Sequence, residues 1–396
     1  MLPPASVGHI ISETTEVIVR VLICPQEFKG SLTARQAADA VATGLRCALP
    51  DAGLDIAPMA DGGPGTVDAI LSSSRGHPET ATVKDPLGRP VEAAWGVLDD
   101  GPAAVIEMAA ASGLTLLKPE ERDPRRTTTY GTGQLIRAAL DAGCRHLIVG
   151  VGGSATNDGG AGMAQALGAR LLDGEGHDLP PGGAALAGLA RIDASGLDAR
   201  LKQCEVTAAT DAVNPLSGPS GASIVYGPQK GATPEVAAEL DAALRHYADV
   251  VRRDLGIDIA SLPGAGAAGG LGGGLVAFLG ARIASGAELV ATATGLPQRI
   301  AAADVVFTGE GRLDAQTAYG KSVAVIARLA KERGRPVIAL VGSIVGDAST
   351  SGLDAVVPIA KGAMTETEMF EQAGSLLSGA AERAARLLLV GRSLAP

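Results

Sequence analysis

The sequence predicts an α/β protein of two domains: a discontinuous parallel-sheet domain built from both ends of the chain, with a second α/β domain inserted into it. Three observations carry this. The 396 residues exceed one ordinary core, so length favours two domains of about 150 to 200 residues each. Near the N-terminus a β-branched run leads through a polar loop into an amphipathic pattern, the first step of a βα unit, and a matching set of strands and helices closes the chain. The middle instead alternates like strands around Pro-Leu-Gly turns.

The elements follow in order. Val17 to Ile23 is the first strand, ending at Cys24-Pro25, and Phe28-Lys29-Gly30-Ser31 leads into a helix over Ala34 to Ala48. Thr80 to Val97 and Ala103 to Glu107 read as strands, Thr132 to Ala142 as a helix and His146 to Val151 as a buried strand. A helical stretch is expected to end near Leu172, and Cys204 to Ala208 is strand-like. Ala303 to Phe307 is a strand, Ser322 to Arg333 a helix, Pro336 to Val341 a strand and Glu366 to Leu389 helical. These place one domain at 17–75 with 280–392 and the inserted one at 76–279. Residues 1–16 read as a loose extension, acidic and without the apolar segment of a signal peptide.

Composition narrows the function. With 46% hydrophobic and 2% aromatic residues, the cores must be built from Ala, Val, Leu and Ile, which suits parallel sheets flanked by helices. A formal charge of −10 and the lack of any basic run oppose nucleic-acid binding, which needs clustered Lys and Arg. Cys24, Cys47, Cys144 and Cys204 are too dispersed for a zinc site or a disulfide framework. The Gly/Ala-rich stretch from Gly264 to Gly295 is interrupted by Arg282 and Glu288, so no membrane span is expected. A cytoplasmic protein is the expectation. The 54 glycines gather with Ser, Thr, Asn and Asp, where backbone approaches a ligand closely.

Three segments hold the chemistry. GVGGSATNDGGAGM, Gly150 to Met163, follows a strand and precedes a helix; exposed N–H groups and a helix N-terminus suit phosphate oxygens. Within it Gly152, Gly153, Ser154, Thr156 and Asn157 are the phosphate-binding candidates, and Asp158 can hold Mg²⁺. The second, Phe307 to Ser322, crowds Glu310, Arg312, Asp314, Gln316, Thr317 and Lys321 after a buried strand, where a ligand crevice is expected. Its Gly-Lys-Ser ending is no Walker A loop, because Ala315 stands where the first glycine belongs. The third, Thr210 to Ala232, offers Asp211 as an oxygen ligand for Mg²⁺ and Lys230 as a point charge for phosphate. Lys29 faces the first strand end, Asp61 can take a metal or a hydroxyl, and Thr127 to Gly133 is a further anion contact.

Two other chemistries fit less well. Gly264, Gly266 and Gly269 match a dinucleotide fingerprint with Glu288 about twenty residues on, but no clean strand precedes them. Gly152 to Thr156 lacks the last glycine of a nucleophile elbow, and the five histidines fall outside the polar loops, leaving a serine triad without its base.

FKGSLTA, ADGGPGT, IEMAAASGL, TTTYGTGQLI, GVGGSATNDGGAGM, NPLSGPSGA, YGPQKGA, GAGAAGGLGGGL and TGEGRLDAQTAYGK, in this order, resemble the bacterial glycerate kinase family of type I. The resemblance runs from about Val19 to about Gly391 and implies a Rossmann- or flavodoxin-like domain made from both chain ends. It also implies ATP-dependent phosphorylation of D-glycerate with Mg²⁺, usually at the 2-hydroxyl, giving 2-phospho-D-glycerate. The chain departs from the family where Gln26-Glu27 replace Asp-Ser, and where Pro64 replaces a glutamate. A non-catalytic binding protein of the same descent is the alternative these departures raise.

For a kinase, positioning and charge neutralisation are the whole task. Asp314 is then the expected base, with Arg312 stabilising charge in the transition state. Lys29, Arg312 and Lys230 serve the substrate carboxylate and the transferring phosphate, and Asp61, Glu310 and Lys321 the substrate. Asp158 and Asp211 are assigned to metal, and the active site to the cleft between the domains. Partners are glycerate and ATP, and a homodimer is left open.

Overall fold

A computed structural model describes residues 19–99, 101–313, 322–346 and 352–394. Numbered along the chain, its strands are β1 (Arg20–Ile23), β2 (Gly53–Ile56), β3 (Gly76–Lys84), β4 (Pro90–Leu98), β5 (Ala103–Glu107), β6 (His146–Gly150) and β7 (Arg170–Leu172). They continue as β8 (Arg191–Asp193), β9 (Glu205–Ala209), β10 (Arg282–Ala284), β11 (Val305–Leu313), β12 (Val337–Ile344) and β13 (Ala355–Pro358).

Both chain ends build one sheet. Its order is β13-β12-β11-β1-β2, and every pairing is parallel. β1 is joined to β2 on one side while β11 runs on to β12 on the other, so strand order reverses between β1 and β11. A crevice is expected outside the carboxyl ends at such a reversal. One face is covered by helices Ala34–Ala48 and Ala373–Leu394 over Ile23, Phe307 and Leu340. The first helix begins as SLTARQ dictates: the Gln36 N–H donates to Thr33 Oγ1 (3.2 Å) and the Thr33 N–H to Gln36 Oε1 (2.9 Å), a capping box.

The inserted sheet has the order β10-β9-β6-β5-β4-β3, parallel from β10 to β5 and antiparallel for β4 and β3. Helices Tyr130–Asp141, Pro234–Leu255 and Ala267–Leu279 cover one face around Tyr247 and Leu135. The other face places Val105 in an apolar cluster with Leu22, Val306 and Ile70 of the first sheet's side. The two sheets are thereby joined by buried hydrocarbon. β10 lies just past the boundary expected at 279/280 and belongs to the inserted sheet.

Two local expectations change. The helix after the glycine-rich loop is only Ala161–Ala166; Gly168 at φ +106° ends it, and Leu172 lies in β7, paired with β8 in a small antiparallel ribbon. The dinucleotide-like glycines serve packing: a Cβ on Gly269, at φ +69°, would lie 2.0 Å from the Thr156 carbonyl oxygen. Only glycine lets this helix start approach the 156–160 loop so closely.

Candidate active site

The carboxyl ends of both sheets meet. Beyond β1 the chain continues beside β11, with the Cys24 N–H donating to Phe307 O and the Gln26 N–H to Gly309 O, both at 2.8 Å. This carries the Lys29 backbone to the end of β11, where a Cβ on Gly311 would lie 3.4 Å from the Lys29 backbone nitrogen. β11 is longer than expected and includes Glu310 and Arg312, which alternate with Gly311 and share a face of the strand. Asp314 and Lys321 lie outside the described residues.

The loop after β2 reaches across to the inserted sheet. The Gly152 N–H donates to Gly62 O (3.0 Å), and a Cβ on Gly152 would lie 2.5 Å from the Gly63 Cα. Pro64, the departure from the family pattern, packs against Gly153, its ring carbons 3.1 and 3.2 Å from where a Cβ there would stand. Ser154 is buried and bridges to Gly113. Asp61 therefore sits where β1, β2, β6 and β9 end.

Four charged groups converge there. Burial pushes the Glu27 carboxyl upward, as does Asp61, while Lys29 opposes the shift. Asp211, just beyond β9, accepts from Ser285 Oγ (2.6 Å) and from the Ala287 N–H (3.3 Å). Its carboxyl is pushed up to about 6, first by burial, and also by the charge of Asp61. Glu27, Lys29, Asp61 and Asp211 thus form one electrostatic group facing the β1–β11 crevice.

A second group lies inside. Asp158 is buried and accepts from the Thr129 N–H (2.8 Å), Thr129 Oγ1 (3.0 Å), Thr128 Oγ1 (3.3 Å) and the N–H groups of Gly160 and Gly162 (each 3.2 Å). Lys230, buried as well, donates to Thr156 O (2.7 Å); burial lowers its ammonium to about 7 against the pull of Asp158. Asn157 Nδ2 donates to Ser223 Oγ (2.8 Å), and among the described residues the buried Thr156 Oγ1 and Asn157 Oδ1 have no hydrogen-bond partner. The structure therefore divides the expected phosphate and metal set. Gly152, Gly153 and Ser154 adjoin the loop of Asp61, whereas Thr156, Asn157, Asp158 and Lys230 lie within the inserted domain. A cation at Asp158 would compete with five donors already in place, four of them on one carboxylate oxygen.

Mg²⁺ needs oxygen ligands and commonly takes one or two carboxylates, completing its shell with phosphates and water. Among the described residues no three acidic, His or Cys side chains gather as a metal site. Asp211 and Asp61 would supply the two-carboxylate kind; burial raises Asp211 first and the charge of Asp61 adds to it, both of which a bound cation would offset.

Glu107, at the end of β5, had no role in sequence terms beyond its place in IEMAAASGL. Its carboxylate accepts the Val67 N–H (2.8 Å), tying the inserted sheet to helix Thr66–Leu71. Burial pushes it up to about 7, so folding binds its proton more tightly than the unfolded chain does. The resulting stability is full below about pH 4.5 and is lost as pH rises through 7, by about 1 to 3 kcal/mol. Glu107→Gln keeps an acceptor and removes the charge. The difference between wild-type and variant unfolding midpoints should grow between pH 5 and about 7.5 in favour of the variant; parallel curves would refute this.

Comparison with known proteins agrees with the geometry. The model of the glycerate kinase family matches residues 21–389. Glycerate kinase of Halalkalibacterium halodurans is 49% identical over 369 residues, covering 92% of this chain and 97% of that protein. Glycerate 2-kinase of Escherichia coli K12 is 46% identical over 376 residues, covering 94% and 99%. A crystal structure assigned to glycerate kinase 2 of Salmonella typhimurium LT2 superposes with a TM-score of 0.81 at 47% identity, covering 95% of this chain and 100% of that one. With sequence, topology and nearly the whole length in agreement, this chain belongs to the glycerate kinase family.

Proposed function

We propose that the protein transfers the γ-phosphoryl group of ATP to the 2-hydroxyl of D-glycerate in the cleft where the carboxyl ends of the two sheets meet. The observation that carries this reading is the convergence of Lys29, Asp61 and Asp211 at the β1–β11 reversal, beside Glu310 and Arg312 and against the Gly152–Gly153 turn. Phosphoryl transfer asks the protein for placement and for neutralisation of charge spread over the moving group.

On this reading Lys29 and Arg312 meet the substrate carboxylate and the transferring phosphate, and Gly152, Gly153 and Ser154 hold the nucleotide phosphates. Asp61 and Glu310 face the substrate. Asp211 and Asp61 hold Mg²⁺, which when bound neutralises phosphate charge. Thr156, Asn157, Asp158 and Lys230 hold the glycine-rich loop in shape from behind. The domain division at 17–75 with 280–392 around 76–279, β10 going with the insert, and a cytoplasmic setting belong to the same reading. Among the described residues no helix is long and apolar enough to cross a membrane.

ADP release with glycerate and other small hydroxy acids tests the reaction, and ³¹P NMR of the product separates the 2- from the 3-phosphate. No turnover with any hydroxy acid would overturn it. Asp211→Asn keeps the shape and an acceptor for Ser285 but loses the charge. It should raise the Mg²⁺ concentration needed for half-maximal rate by about 10- to 100-fold. An unchanged Mg²⁺ titration removes Asp211 from the metal.

A further inference from the structure

A cleft of about 960 Å³ leads away from Asp211 and Ser285. It runs along β10 toward helix Ser322–Lys331 of the other domain. That volume is of the size that takes a nucleotide-sized ligand. Its walls are aliphatic, with Val213, Leu262 and Ile283 on the inserted side and Ala324 and Ala327 on the helix. β10 is the outer strand of its sheet. Ala284 gives its carbonyl inward to the Thr210 N–H (2.9 Å). Successive residues of a strand send their backbone groups to opposite edges, so the N–H and C=O of Ile283 face the open side.

We propose that this cleft takes the adenosine of ATP, the base lying between the aliphatic walls with its hydrogen-bonding edge on the Ile283 backbone. The phosphates then lead past Ser285 to Asp211. This rests on the kinase reading above. A purine has apolar faces and a polar rim, which matches aliphatic walls closed by one strip of backbone at the sheet edge. The near end sets the direction, because it adjoins Asp211 and the Lys29 and Asp61 group to which the kinase reading gives the metal and the phosphates. At the far end Arg328 is paired with Glu288 and Glu332, and Lys331 also lines the cleft. The base also bridges the two domains, touching the inserted sheet and the helix of the first.

Two variants test it, with ADP, adenosine and tripolyphosphate as probes. Val213 is 72% exposed, so Val213→Trp leaves the core untouched and puts an indole at the cleft wall; Trp95, buried in the inserted sheet, gives a constant background. ADP and adenosine should change the emission of the new indole, adenosine showing that the response does not need the phosphates. Ala324→Trp fills the cleft and should weaken ADP at least about tenfold by calorimetry, with tripolyphosphate unaffected. A response to tripolyphosphate alone, or ADP bound normally by Ala324→Trp, overturns the proposal. If these occur while wild type still turns over ATP, only the cleft assignment falls. If wild type neither binds ADP nor forms it, the kinase reading falls with it.

Discussion

Asp314→Asn should lower kcat by about 10² to 10⁴ while ATP affinity stays near that of the parent chain, the loss expected when a general base is removed. Asp314 lies outside the described residues, and the case is made by its neighbours. β11 runs to Leu313, and its carboxyl end stands at the β1–β11 reversal beside the Lys29 segment. Two described carboxylates of that crevice, Asp211 and Asp61, have other partners. Asp211 is held by Ser285 and the Ala287 N–H, and Asp61 accepts from the Gly63 N–H (3.3 Å). The loose transition state of phosphoryl transfer needs only late removal of the hydroxyl proton, which a carboxylate within hydrogen-bond reach supplies. The check is kcat at saturating substrates together with an independent ATP titration. Lost ATP or Mg²⁺ binding with kcat retained at saturation would move Asp314 to the nucleotide site.

Gly62→Ala should destabilise the protein by about 2 to 4 kcal/mol and sharply reduce turnover, because two costs coincide. Gly62 has φ +88°, which an L side chain resists, and a Cβ there would stand 2.2 Å from the Ala209 carbonyl oxygen. That oxygen belongs to β9 and already accepts the Val151 N–H (3.1 Å), so it cannot retreat without disturbing the inserted sheet. The Asp61 loop must back away instead, which separates Asp61 from Asp211. Gly88→Ala is the control. Gly88 has φ +85° in the β3–β4 turn with nothing within 4 Å of an added Cβ, so only the backbone cost of about 1 to 2 kcal/mol remains. Equal thermal midpoints for the two variants, or full activity in Gly62→Ala, would show that the contact with Ala209 does not hold the cleft.

Much of the fold was legible because its causes are local. The helix over Ala34–Ala48 agrees at both ends, since its apolar spacing and capping box sit within a few residues of each other. The split domain was readable because β-branched runs at both ends leave polar loops on the same side. Where a local cause was weak, the reading slipped: three residues after Gly168 became a strand because β8, twenty residues away, pairs with them. Glu310 and Arg312 read as loop, yet β12 continues alongside and draws both into β11.

The candidate site shows the same division residue by residue. By itself the sequence determined the class of chemistry: polar, glycine-rich loops at strand ends, with isolated Lys and Arg and no histidine base. It could not tell Asp158 from Asp211, since each is an aspartate in a small-residue loop after a buried strand. Tertiary structure separated them by surroundings. Five donors close around Asp158 in the interior, whereas Asp211 is held by Ser285 and feels the charge of Asp61. Lys230 went inward in the same way, to a backbone carbonyl. Motifs depend on neighbours along the chain, so spacing reveals them. The role of a charge depends on which groups and how much water surround it, and those are set only when distant segments pack.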